Sequence, residues 1–458
     1  MGRKIITIRT KYKKLMTKNT ITCQIYKKIK GIKCHLEIDS DDSDGLCILH
    51  SQNLNKERDL FDAAFLEKIE KGDYDFRSII FPYHYSFKER VFESEVNFSG
   101  AKFIHGATFF KAVFEDGVNF SDTKFYGKRS DDEIATGQYH IGVDFTYSIF
   151  KNIANFSLSE FDLNVDFLLT EFYCSAEFYG AKFRGLIHFS PTITTNYVNF
   201  NSSEFYGALY FRPNQFSDCN IYFTQARFIG QGLFESIYPF NEEFIGLKIE
   251  PQAKLTFNSI SLAKAKFIGT NLRQIEFNNV IWHRYFGRDT LYDEIVLEKN
   301  SNSREYADVE ELYRQLIINY KNKEDFKRVG DFHYGEMEMH RKASFWRRRI
   351  PISWYNLFWL LSGYGERPSR AIGWLIVFLL GMTSLVWGLG LEVANPPHIA
   401  GFGDSFIYLL QKVTLQRPIW AEPIGFWGKL VAGLSVLLIP GQAALFLLAL
   451  RNRLGRRR

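Results

Sequence analysis

Phenylalanine recurs through the middle of this chain on an 11-residue beat. Phe87, Phe92, Phe98, Phe103, Phe109, Phe114, Phe120 and Phe125 form one run. Phe145, Phe150, Phe156, Phe161, Phe167, Phe172, Phe178, Phe183 and Phe189 form a second. In both, the spacing alternates between five and six residues. A third run passes through Phe200, Phe205, Phe211, Phe216, Phe223, Phe228 and Phe234. At roughly 100° per residue such steps land on shifting faces of an α-helix, so a helix does not explain them. A short fixed period is the mark of a stacked solenoid, an architecture that supplies surfaces and spacers.

The residues around each phenylalanine say how the coil is built. A small or branched residue stands two positions before many of them, as in Ala101, Ala107, Val118, Ala154, Ala181 and Ala226. The residue between is polar or charged: Lys102, Thr108, Asn119, Asn155, Lys182, Arg227. In a strand, residues two apart share a face, so phenylalanine and small residue point inward and the middle residue outward. Turn formers such as Ser99-Gly100, Ser121-Asp122, Tyr179-Gly180, Tyr206-Gly207 and Ile229-Gly230 separate these short strands.

The stretches Phe98-Ser-Gly-Ala-Lys-Phe103 and Phe178-Tyr-Gly-Ala-Lys-Phe183 resemble the pentapeptide-repeat family in its Phe-rich variant. Ala263-Lys-Ala-Lys-Phe267 and the five-residue steps Phe257, Leu262, Phe267, Leu272 and Phe277 extend the resemblance, which covers residues 81–281. It implies a right-handed quadrilateral parallel β-helix with Phe or Leu stacked inside. On the order of nine coils, at about 4.8 Å per coil, would make a rod roughly 40 Å long. Residues 127–142, with Arg129, Asp131, Asp132 and Glu133, break the beat and read as a loop leaving the rod. The phenylalanines, among them Phe98, Phe103, Phe109, Phe114, Phe156, Phe161, Phe178 and Phe183, are expected to be core.

Residues 1–80 read as a basic N-terminal module with the spacing C-x10-C-H-x11-C-x2-H at Cys23, Cys34, Cys47 and His50. Thiolates and imidazole suit tetrahedral structural zinc, and a module this small gains folding energy from a metal. His35 is an alternative ligand. The acidic run from Asp39 to Asp44 lacks the glycine and terminal glutamate of a calcium loop and reads as a solvated turn. The chain has only five cysteines; Cys174 and Cys219 have no obvious mate, which suits a reducing compartment.

The C-terminal part, 370–458, is apolar. Residues 371–391 are uncharged and at about 1.5 Å per residue span roughly 30 Å, the thickness of a bilayer core. Leu430 to Leu450 is a second such stretch and contains Pro440-Gly441. Arg341, Lys342, Arg347, Arg348, Arg349, Arg367 and Arg370 precede the first span, and Arg451, Arg453, Arg456, Arg457 and Arg458 follow the second. The positive-inside rule then places both termini in the cytoplasm and 392–429 outside, in an inner or plasma membrane of bacterial type. The aromatic stretch from Ser353 to Leu361, within 346–369, reads as an interfacial helix.

Between the spans, Asp404 to Gln416 is a third apolar-leaning segment. With Leu312-Tyr-Arg-Gln-Leu316, Gly330-Asp-Phe-His-Tyr-Gly-Glu-Met-Glu338 and Ser362-Gly-Tyr-Gly-Glu-Arg-Pro368, this order is similar to pentapeptide-repeat proteins carrying a two-helix, ion-channel-like domain. The similarity covers residues 305–458 and implies a homo-oligomer, a tetramer if it conducts, since two helices cannot enclose a pore. The pore-loop candidates Thr414, Leu415, Gln416 and Arg417 depart from it. They hold no glycine, Pro418 follows, and Arg417 adds positive charge at a cation entrance, so a potassium-type filter is not expected. A less selective channel and a non-conducting membrane-tethered scaffold both remain. Pro440 and Gly441 are hinge candidates for gating, or a passive kink.

Residues 282–345 form a helical bridge, with a helix expected over 303–345 that either couples the rod to the membrane or caps the last coil. No phosphate loop, nucleophile elbow or assembled triad is present, and an enzyme is not expected. The partners this reading implies are a lipid bilayer, further copies of the chain, and a protein docked on the β-helix. Nucleic acid is not expected, because lysines and arginines on the outward positions speak against duplex mimicry.

Overall fold

A computed structural model describes residues 22–32, 34–127, 141–214, 219–236, 241–300, 305–343, 353–394 and 397–455. The basic residues before Thr22, the loop residues Arg129 to Glu133, Phe216, the Arg347 run and the last three arginines lie outside them. The chain divides into two compact units, Met1–His283 with Leu291–Asp293, and Arg284–Thr290 with Glu294–Arg458.

The first unit is a parallel β-solenoid of about eight turns, one fewer than the repeat suggests. Among the described residues its short strands stack into four parallel sheets, of eight, nine, five and seven strands. Like positions stack: Ile80 pairs with Lys102 and Phe81 with Phe103, then Lys102 with Lys124 and Phe103 with Phe125. The phenylalanines therefore form ladders. Ring centroids lie 4.4 Å apart for Phe81–Phe103 and 4.9 Å for both Phe103–Phe125 and Phe125–Phe161, with planes within 8° of parallel. That distance is the spacing of hydrogen-bonded strands, about 4.8 Å, imposed on the side chains. Across ladders the rings meet edge-on, as in Phe98–Phe109 at 84°, the arrangement that aromatic quadrupoles favour. The eight core phenylalanines singled out above are at most 1% exposed.

Alternate corners share one device. Ser78, Glu89, Gly100, Lys111 and Asp122, then Tyr147, Leu158, Leu169 and Gly180, all have positive φ, and each stands two residues after a phenylalanine. Most are not glycine, so the corner strain is accepted repeatedly. The turn closes by a bond such as Arg90 N to Phe87 O at 3.1 Å, while the Glu89 N–H reaches Phe110 O of the next coil at 2.8 Å. Asparagine side chains support it: Asn97, Asn119 and Asn155 each accept from the N–H two residues on. Buried hydroxyls satisfy inner carbonyls, as Thr170 does for Phe145 at 2.9 Å. The broken beat is an insertion: Lys151 meets Glu115 across 36 residues, where Arg184 meets Asp162 across 22.

Both ends of the rod are covered. Helix α2 (Arg58–Glu70), which follows the short α1 (Ile25–Lys28), lays Phe61 and Phe65 against Phe81. At the far end Trp282 packs on Phe277 at 5.2 Å, and Asp293 accepts from edge amides of the last coil.

The second unit is helical. Helix α3 (Tyr292–Asn300) straddles the boundary and is followed by α4 (Glu305–Asn322) and α5 (Phe326–Ala343). The single helix expected over 303–345 is thus two, broken where Glu324 takes a φ of 59°. Leu312, Tyr313, Leu316 and Tyr320 face Val329, Phe332 and Met339 in their shared core. Gly335 lets the helices approach, because a Cβ there would lie 2.4 Å from the Tyr313 ring. Buried charges are paired: Arg288 with Glu294 at 2.5 Å, and Glu338 with Arg341 at 2.5 Å and the Tyr364 hydroxyl at 2.9 Å.

Candidate metal centre and membrane hairpin

Cys23, Cys34, Cys47 and His50 converge, with all four ligand atoms within 4.8 Å of one another. Local backbone pairing builds the site. Thr22 bridges to Glu37, and the Cys23 N–H bonds to Leu36 O at 2.8 Å, which brings Cys34 beside Cys23. A turn carries Cys47 and His50, closed by His50 N to Cys47 O at 3.0 Å. His35 is exposed and stands outside the cluster, so the choice of fourth ligand falls on His50.

Bonds of about 2.3 Å to zinc put tetrahedral sulfur ligands roughly 3.8 Å apart. The observed separations are 3.7 Å for Cys34–Cys47 and 3.6 Å for Cys23–His50, with Cys47–His50 at 3.2 Å. Cys23, Cys47 and His50 are buried. The Cys47 N–H donates to Cys23 Sγ at 3.3 Å, the kind of second interaction that orients a metal ligand. Contacts with Cys34 and Cys47 hold the Cys23 thiol far below its ordinary value, while hydrogen bonding with Cys23 pushes Cys34 up to about 11. The donor set, distances and burial fit a metal such as zinc.

Among the described residues, two helices are long and apolar enough to cross a membrane: α7 (Pro368–Leu389) and α9 (Gly425–Gly455). They pack on each other and leave large apolar side chains such as Ile376, Val377, Leu380, Leu437 and Leu447 outside. Before them, α6 (Trp354–Ser362) is capped by the Ser353 hydroxyl and ends in three consecutive positive-φ residues, Gly363, Tyr364 and Gly365. Between them lie α8 (Phe402–Val413) and a three-stranded antiparallel sheet of Leu391–Ala394, Pro397–Ile399 and Ala421–Pro423.

Thr414, Leu415, Gln416 and Arg417 follow α8 and are all exposed. Thr414 caps α8 with its hydroxyl on Leu410 O at 2.9 Å, and Leu415 has a φ of 62°. This stretch is a helix ending: the Leu415 N–H bonds to Lys412 O at 3.2 Å and the Gln416 N–H to Gln411 O at 2.9 Å. Helix α9 continues through Pro440 and Gly441. The next residue, Gln442, donates to Leu361 O at 3.0 Å and Ala371 O at 2.8 Å, tying α9 to α6 and α7. No known protein family, curated protein or solved structure matches the chain.

Proposed function

We propose that this chain is a membrane-tethered scaffold. The hairpin α7–α9 anchors it, both termini and the right-handed solenoid lie in the cytoplasm, and the rod presents its outer face to a protein partner. The observation that carries this reading is the pairing of an apolar hairpin with a solenoid whose outward positions are laddered charges. Lys124, Glu160, Arg184 and Asp162 form one such ladder across neighbouring coils, and Arg227–Glu250 and Lys266–Glu243 form others. Mixed charge at fixed spacing offers specificity to a protein surface rather than a field for nucleic acid. A zinc ion held by Cys23, Cys34, Cys47 and His50 locks the module that precedes the first coil.

The second reading, an oligomeric pore of low selectivity, draws on the order helix, short helix, helix, and on the apolar faces that α7 and α9 leave uncovered. Ion flux from liposomes carrying the full chain separates the two. Background flux from protein shown to be oligomeric supports the scaffold. Flux above background supports the pore, and a strictly monomeric protein in mild detergent excludes it.

A further inference from the structure

Beside the first turn of α7 lies a cavity of about 470 Å³. Its walls include Arg288, Arg367, Ser369, Arg370, Tyr334 and Trp359. Three carboxylates also line it, and each is already committed. Glu294 binds Arg288 and the Tyr313 hydroxyl, Glu298 binds Lys342 at 2.5 Å, and Glu338 binds Arg341 and Tyr364.

The positive groups are not used up. Arg288 is only 3% exposed, yet its Nη1 has no hydrogen-bond partner among the described residues. A buried guanidinium with a donor left unmade keeps its full charge beside the cavity at a cost. Arg367 makes no ion pair among the described residues, and Arg370 gives one bond, to the Trp359 carbonyl at 3.1 Å. Two of these guanidiniums sit on a single ring, Arg288 at 5.1 Å and Arg367 at 5.3 Å from the Tyr334 centroid. Arg370 sits 5.3 Å over Trp359, whose Nε1 donates to the Tyr334 hydroxyl at 2.9 Å. The aromatic pair thus holds three like charges close together. The N-terminus of a 22-residue helix adds its positive dipole end.

The rim indicates where the anion comes from. Phe286 lines the mouth, is 84% exposed, and sits with Gly287 at the tip of the hairpin joining His283–Tyr285 to Arg288–Thr290. Both tip residues have positive φ, the geometry of a tight two-residue turn that a bulky residue adopts only under constraint. An exposed aromatic beside arginines, where an apolar helix begins, suits the headgroup level of a bilayer.

We propose that this cavity binds a phosphate group, supplied by the headgroup of an anionic phospholipid at the membrane face where α7 begins. Arg367 and Arg370 take the phosphate oxygens, the buried Arg288 guanidinium adds positive charge behind them, and Phe286 reaches toward the acyl region. This rests on α7 crossing a bilayer. Loss of the protein from the membrane fraction would sink that reading, whereas the site is tested on protein that stays membrane-integrated.

The test is lipid retention by full-length protein in mild detergent, read by native mass spectrometry with phosphatidylglycerol, phosphatidylcholine or inorganic phosphate added. Wild type should retain one phosphatidylglycerol in preference to phosphatidylcholine. Arg367→Gln and Arg370→Gln should each weaken it roughly tenfold, as expected for removing one charge-assisted bond. Unchanged unfolding temperature of these variants without lipid is the folding control. Displacement of the lipid by millimolar inorganic phosphate would keep the anion site and overturn the headgroup assignment. Equal retention of the two lipids, or unchanged retention in both variants, would overturn the proposal.

Discussion

Asp293 places its carboxylate 3.0 Å from the backbone nitrogen of Phe267 and 3.2 Å from that of Ile268. These are edge amides of the last coil, where no further strand follows. A solenoid must satisfy that edge or leave a template for pairing with another chain. Burial pushes the Asp293 carboxyl up to about 6, against the opposing pull of the amides it accepts from. A carboxyl raised above its unfolded value of about 3.9 binds its proton more tightly in the folded state. Its stabilising contribution is full below about pH 4 and is lost as pH rises through about 6. The stability of the solenoid to thermal unfolding, followed by circular dichroism, should therefore fall by about 2 kcal/mol between pH 4 and pH 7 from this group. Asp293→Asn should remove that slope; an identical slope in the variant would refute the assignment.

Glu242 is a second buried carboxyl, with neither oxygen hydrogen-bonded among the described residues. It stacks on Ile221 in the neighbouring coil, so its side chain occupies an inward position of the ladder. Desolvation raises its pKa, and its contribution likewise diminishes as pH rises from the unfolded value. Glu242→Leu should stabilise the solenoid at pH 7 by about 1–3 kcal/mol, the usual cost of an unsatisfied buried group. A lowered unfolding temperature would show that the carboxyl has a stabilising role.

The metal centre predicts one zinc ion per chain by elemental analysis. Cys47→Ser should reduce it to less than a tenth, because Cys47 contacts both Cys34 and His50. A chelator should open the segment 22–56 to proteolysis and leave the phenylalanine ladders protected. Lys56 should respond too: it is buried and donates to Leu49 O and Ile80 O, linking the module to the first coil. Equal zinc in wild type and Cys47→Ser would exclude this site.

How far the sequence reaches depends on whether a signal is periodic. The ladders were legible because inward positions repeat, and the Cys/His spacing was legible because few other chemistries use it. The left-handed corners were partly hidden: only Gly100 and Gly180 among the first nine are glycine, while Glu89, Lys111 and Leu158 carry no turn signature. Their position two residues after alternate phenylalanines was the available signal. The break at Glu324 was missed because the apolar spacing runs on through it, from Tyr320 to Phe326 and Val329. Arg288, Asp293 and Gln442 gave no signal, since each gains its role from a partner distant in sequence.

Gln442 bears on the hinge question. Its amide ties α9 to Leu361 and Ala371 two residues beyond Pro440, so bending α9 at Pro440-Gly441 would require these bonds to break. Hydrogen bonds between membrane helices contribute about 0.6–2 kcal/mol, so the clamp is modest but placed where a gate would move. For an anchor, Gln442→Leu should lower the unfolding temperature of the hairpin by an amount corresponding to about 1 kcal/mol and leave liposome flux at background. If Pro440 and Gly441 instead form a hinge held shut by this clamp, the same variant should conduct. Flux in Gln442→Leu with none in wild type would therefore overturn the scaffold reading and identify Gln442 as the latch.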